Sequence, residues 1–134
     1  MNRDILNPPS LARPSGFSHG ILTTGGKLLF LAGQTASDAE GQIAALGDIV
    51  AQYEQVLQNL QTVVEAAGGT MQNMVKMTIF VSNRDDYRAH LKPLGKIHRA
   101  YFGEHYPATA LLEISRFFQD GALIEIEGMA VIDS

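Results

Sequence analysis

The chain of 134 residues contains no cysteine and no tryptophan. Without cysteine there is no disulfide scaffold, no thiolate zinc site, no iron–sulfur cluster and no cysteine nucleophile. Charge is sparse: Asp, Glu, Lys and Arg make up 18% of the residues and leave a formal net charge of −4. A chain with no net positive field does not draw in phosphates, which argues against a nucleic-acid partner. No run approaches the roughly 20 consecutive apolar residues that span a membrane. Asn2, Asp4, Asn7 and Pro8 interrupt any apolar stretch at the N-terminus, so no signal peptide is expected and a cytoplasmic location follows. Repeats, low-complexity tracts and charge runs are missing too. The remainder, 46% hydrophobic, reads as one globular domain over residues 14–134 behind a leader over residues 1–13. A chain of this length buries roughly two-thirds of its unfolded surface and needs no staple.

Pro8, Pro9, Pro14 and Gly16 mark residues 1–16 as an extended loop. Phe17–Thr24 and Lys27–Gln34 flank Gly25-Gly26 and read as a β-hairpin, because glycine supplies the positive φ of a two-residue turn. Leu28 to Ala32 is apolar on both faces, which predicts a central strand. Ile49, Tyr53, Val56, Leu57, Leu60 and Val64 recur at helical spacing, with Asp48 as N-cap and Gly68-Gly69 as the stop. That stripe is too regular for a cofactor box and reads as core. Val75, Met77, Ile79 and Val81 alternate with Lys76, Thr78 and Phe80 as a strand. Asn83 can cap a second helix over 85–102, which Pro93 and Gly95 should break or kink. Strands over 108–115 and 123–132 complete a β-β-α-β-α-β-β order. This is an α+β domain, a mixed sheet with two helices on one face. Strands apolar on both faces then leave one sheet face uncovered, and packing against copies of the same chain is the simplest cover.

Chemistry-bearing residues are few. Glu125 and Glu127 alternate with Ile124 and Ile126, so the two carboxylates share a strand face roughly 7 Å apart. The plain reading is a solvated face. The sharper one puts one Glu in a subunit cleft, where partial burial raises its pKa and makes it a general acid/base. Four histidines, His19, His90, His98 and His105, form no metal-binding string, and no metal site is expected. His19 is either a surface residue or a polar pocket group. Gly33 marks either a bend or a close approach by a ligand or backbone. No Gly-x-Gly-x-x-Gly or Walker-type loop is present, and no serine sits in a nucleophile elbow. Arg116 could hold a carboxylate, though such an arginine more often makes a structural pair.

In this order and spacing, several strings resemble the Rid (reactive intermediate deaminase) family, also called YjgF-like or L-PSP proteins. They are Gly16-Phe17-Ser18-His19-Gly20, Leu31-Ala32-Gly33-Gln34, Val63-Val64-Glu65-Ala66-Ala67-Gly68, Val75 to Val81, Pro107-Ala108-Thr109-Ala110-Leu111-Leu112-Glu113-Ile114 and Ile124-Glu125-Ile126-Glu127. The resemblance covers residues 14–132. It implies a chorismate-mutase-like fold in a homotrimer with a central barrel and clefts between subunits. It also implies cofactor-free hydrolysis of enamines and imines, such as 2-aminoacrylate, to a ketoacid and ammonia. Typical members carry Arg where this chain has Thr109, and that Arg clamps the substrate carboxylate. A hydroxyl cannot replace a guanidinium that makes two charge-assisted hydrogen bonds. The usual Tyr near the N-terminus is Phe17, and Gly95 stands where Asn often sits. The Glu of the last strand is kept as Glu125.

The resemblance therefore points to an arginine-lacking subgroup. Its cleft would be lined by Phe17, His19, Ala32, Gly33, Thr109 and Leu111, with Glu125 as the catalytic group. The expected function is an imine or enamine deaminase-like hydrolase with altered substrate range, some arginine-lacking relatives acting on metabolites such as aminomuconate. The alternative is a non-catalytic trimer that binds a small metabolite. A ribonuclease, an activity claimed for some relatives, is disfavoured by the net charge of −4.

Overall fold

The computed structural model describes residues 2–133. Met1 and Ser134, the ends of the expected leader and domain, lie outside the described residues. The elements run β1 (Asn2–Leu6), β2 (Gly20–Thr24), β3 (Lys27–Gln34), α1 (Ile49–Ala66), β4 (Met74–Val81), α2 (Arg84–Ala89), α3 (Leu91–Phe102), β5 (Ala108–Glu113) and β6 (Ile124–Ile132). A mixed four-stranded sheet has the order β3-β6-β4-β5, and β1 and β2 form a separate antiparallel ribbon. Strands β4 and β5 are parallel, so the chain between them must cross over, and α2 and α3 make that crossover.

Helix α1 follows its sequence closely. The Asp48 carboxylate accepts from the Ala51 N–H at 3.0 Å and satisfies one of the free donors of the first turn. At the other end Gly68 takes φ +86°, and the Gly69 N–H closes onto the Val64 carbonyl at 3.0 Å. Val56, Leu57, Leu60 and Val64 are fully buried against Ile124, Ile126 and Ala130 of β6 and Leu31 of β3. Replacing one such leucine by alanine costs about 2–5 kcal/mol.

Several expectations need correction. Residues 2–6, read as leader, are a strand paired with β2 over Asn2↔Thr24 to Leu6↔Gly20. Gly25 and Gly26 do turn the chain, at φ 75° and 78°, but β2 and β3 do not pair: β2 pairs with β1, and β3 with β6. Two glycines set a turn, not the partner of each strand. Strand β3 is an edge and not central. Its second apolar row, Leu28 and Phe30, is 57% and 68% exposed, so apolarity on both faces here reflects an uncovered face. The second helical segment breaks at His90, before Pro93. Pro93 then falls in the first turn of α3, where its missing N–H forfeits no bond, and Gly95 continues the helix. In β4 a register shift between Met74 and Lys76 buries Met74, so the strict alternation starts only at Met77.

Candidate functional site

Helix α1 packs against β3 and β6, and α3 packs against α1. The parallel edge of the sheet is left over, and a cavity of about 540 Å³ opens there. Its floor is two ladder pairs, Met77↔Thr109 and Ile79↔Leu111, whose side chains lie abreast on the helix side. Tyr53 of α1, Tyr87 of α2, and Leu94, His98 and Arg99 of α3 form its walls. Phe17 sits at its mouth on a loop tied to β5. There the Ser18 hydroxyl donates to the Tyr106 carbonyl at 2.6 Å and the Ser18 N–H to the Pro107 carbonyl at 3.3 Å.

Thr109 does not offer its donor to the cavity. Its hydroxyl donates to the Pro107 carbonyl at 2.8 Å. His98 is stacked between Phe102 and Tyr106, with centroids 4.6 Å away on each side. Its Nε2 meets the His105 carbonyl at 3.0 Å, so Nε2 carries the hydrogen and Nδ1 is left as an acceptor. Burial lowers its pKa, aided by the nearby Arg99 charge. Burial raises the phenol pKa of both Tyr53 and Tyr87, so both stay protonated donors.

Glu125 stands elsewhere. It pairs across the ladder with Phe80, on the sheet face opposite Ile124 and Ile126, and is half-buried while Glu127 is exposed. Its carboxylate lies directly over Gly33, where a Cβ would overlap it. Here β3 carries one extra residue between Leu31↔Gly128 and Gln34↔Ile126, a bulge at Ala32 and Gly33. The close approach at Gly33 is thus made by a side chain of the same molecule. His19 belongs to neither place: its Nε2–H donates to the Ala12 carbonyl at 2.6 Å and its N–H to Asn7 at 2.8 Å, which pins the N-terminal segment.

Within one chain the expected cleft residues therefore fall into two groups. Phe17, Thr109 and Leu111 share the helix-side cavity. Ala32, Gly33 and Glu125 lie together on the open face of the sheet. Arg116 is outside the cavity, exposed and without an ion pair among the described residues. Sequence reading missed Tyr53, Tyr87, His98 and Arg99. One signal was available: His98 lies four residues from both Leu94 and Phe102, a polar ring on the apolar stripe of α3. Among the described residues, no cluster of three or more metal-ligating side chains occurs and no helix is long and apolar enough to cross a membrane.

A mixed sheet with its helices on one face places the chain in the α+β class of the YjgF/L-PSP structures. The Rid-family protein YyfB of Yersinia pestis, described as of unknown function, superposes with a TM-score of 0.87 at 34% identity, covering 98% of this chain and 100% of that one. RidA of an Antarctic Psychrobacter superposes with a TM-score of 0.68 at 27% identity, covering 90% and 92%. A RutC family protein of Pyrococcus horikoshii is 33% identical over 129 residues, 96% of this chain and 97% of that protein. The family model described as Endoribonuclease L-PSP matches residues 10–132. The chain belongs to this family, the Rid or YjgF group that its motifs resemble.

Proposed function

We propose that the protein is a cofactor-free imine or enamine deaminase-like hydrolase acting on a small metabolite in the cytoplasm, its site completed between copies in a homotrimer. The observation that carries this reading is the Glu125 carboxylate seated on the Gly33 bulge, half-buried on a face whose apolar residues lack a cover. A carboxylate there can take a proton from water as the water oxygen bonds to the imine carbon. It gives that proton to the imine nitrogen, which leaves a carbinolamine, and then carries the hydroxyl proton to the same nitrogen as the C–N bond breaks, so that imine and water become carbonyl compound and ammonia. Thr109 and Glu125 face opposite sides of one sheet, so only a second copy could bring a Glu125 to a Thr109 cavity. The family description names an endoribonuclease; the net charge of −4 weighs against a phosphodiester substrate.

The test is ammonia release from imines generated in situ. Glu125→Gln should lower turnover by about a hundredfold or more, the usual worth of a positioned acid/base. Unchanged turnover would remove the catalytic assignment. The spent donor of Thr109 favours a second reading, a metabolite-binding trimer without turnover. Ligand-induced stabilisation with no ammonia release would select it. Sedimentation should show a trimer; a stable monomer would break both readings.

A further inference from the structure

We propose that Arg99 is the anion-holding residue of the helix-side cavity, and that the cavity takes small carboxylates with a flat, unsaturated body. The inference deepens the small-metabolite reading above, on which it rests, by naming a ligand class and its anchor. Arg99 is the one residue of the cavity lining with a formal charge at neutral pH. Among the described residues it makes no ion pair; the pairs found are Arg84–Asp85 and His90–Asp86.

Arg99 is an exposed residue of the cavity lining, and its guanidinium lies back along α3. Side chains on a helix lean toward its N-terminus and lie over the residue four positions earlier. For Arg99 that residue is Gly95, and a Cβ there would sit 3.5 Å from the Arg99 Nη1. The missing side chain leaves room for the guanidinium against α3 at the cavity wall. On the floor, Thr109 has spent its donor on Pro107, so it does not compete for an anion. Arg99 presents a planar fork that matches a carboxylate with two hydrogen bonds.

The body of the ligand follows from the walls. Phe17, Tyr53, Tyr87 and Tyr106 surround the space with rings, including three of the four tyrosines of the chain. Flat π-systems stack on such walls, and the protonated Tyr53 and Tyr87 hydroxyls can donate to the anion as well. A conjugated enamine carboxylate or an aryl carboxylate satisfies both the fork and the rings. A short saturated acid would leave the rings unfilled.

Benzoate and its uncharged match benzamide test this on the full chain by calorimetry and protein-observed NMR. The wild type should bind benzoate about tenfold or more tighter than benzamide. Arg99→Gln should bring benzoate down to the benzamide level, and Arg99→Lys should fall between, since it keeps charge and loses the fork. Gly95→Leu, which fills the space under the guanidinium, should weaken benzoate without removing any charge. Equal affinity for benzoate in the wild type and Arg99→Gln overturns the proposal, as does a wild type that ignores benzoate. Benzoate is not turned over, so the catalytic reading fails separately, by absent ammonia release with the benzoate preference intact.

Discussion

The two faces of the same sheet solve opposite problems. On the helix side, Ile124, Ile126, Met77 and Val81 are buried under α1 and α3, and the core closes within one chain. On the other side, Phe30, Met129 and Leu112 are 68%, 40% and 46% exposed around the half-buried Glu125. The first face carries stability and leaves the candidate cavity where the helices run out, along β5. The second carries an apolar patch with the half-buried Glu125 set into it and the exposed Glu127 beside it, a surface of the kind monomers rarely expose. The chain thus covers one face itself and leaves the other bare, the face that the proposed assembly would close.

The sharpest way to break this contrast is a pair of truncations. Leu60→Ala on the covered side should cost about 2–5 kcal/mol at any protein concentration, read by urea denaturation. Phe30→Ser on the open side should cost an isolated chain less than about 0.5 kcal/mol. In an assembled form its cost should instead depend on protein concentration, because association stabilises the folded state. Identical, concentration-independent losses would remove the distinction.

Two glycines refine it. A Cβ at Gly128 would meet the Lys76 backbone carbonyl, which cannot yield, so Gly128→Ala should lose about 1–3 kcal/mol. At Gly33 the obstacle is the end of the Glu125 side chain, which can swing aside. Gly33→Ala should stay within about 1 kcal/mol of the wild type while moving the carboxylate and cutting turnover. A stable, fully active Gly33→Ala would separate Glu125 from function.

Acid should strain the covered face first. Burial holds the His98 and His105 rings below their ordinary 6.5, so the folded chain resists protonating them. As pH falls through about 6.5 the unfolded chain takes up those protons and stability drops, whereas at higher pH the full stability is present. The urea midpoint should be lower at about pH 5.5 than at about pH 7.5, and His98→Phe, which keeps the stacking, should shrink that difference. A midpoint that rises on acidification would contradict the assignment. The smallest effect concerns Gly95. Its φ is not positive and a Cβ would make ordinary contact, so Gly95→Ala should raise stability by about 0.5–1 kcal/mol through helix propensity. A loss of stability there would mean that the guanidinium of Arg99 has no room to give.

Local order was legible where a short stretch decides its own conformation. The Asp48 cap, the Asn83 cap accepting from Asp86 at 3.0 Å, the α1 stripe and the Glu125/Glu127 alternation all depend on residues within a turn or two. Strand β1 was missed because Asn2–Leu6 has no pattern of its own and becomes a strand only through its partner β2. The edge position of β3 was missed because apolarity on both faces looks the same whether a face is covered by helices or left open. The expected cleft residues were named without their arrangement. Motif spacing pointed to Phe17, Gly33, Thr109, Leu111 and Glu125, but not to the sheet between Thr109 and Glu125, nor to Arg99 and the tyrosines.

Family, helix caps and the alternation of Glu125 and Glu127 were set by the chain alone, because they are properties of neighbouring residues and of spacing. Which strand sits at the edge, where the helices stop short of the sheet, and which side chains from four separate elements meet across that gap were decided by tertiary packing. Those outcomes depend on contacts between residues far apart in the chain, and a one-residue shift such as the bulges at Ala32–Gly33 and Val75 redirects the side chains that follow.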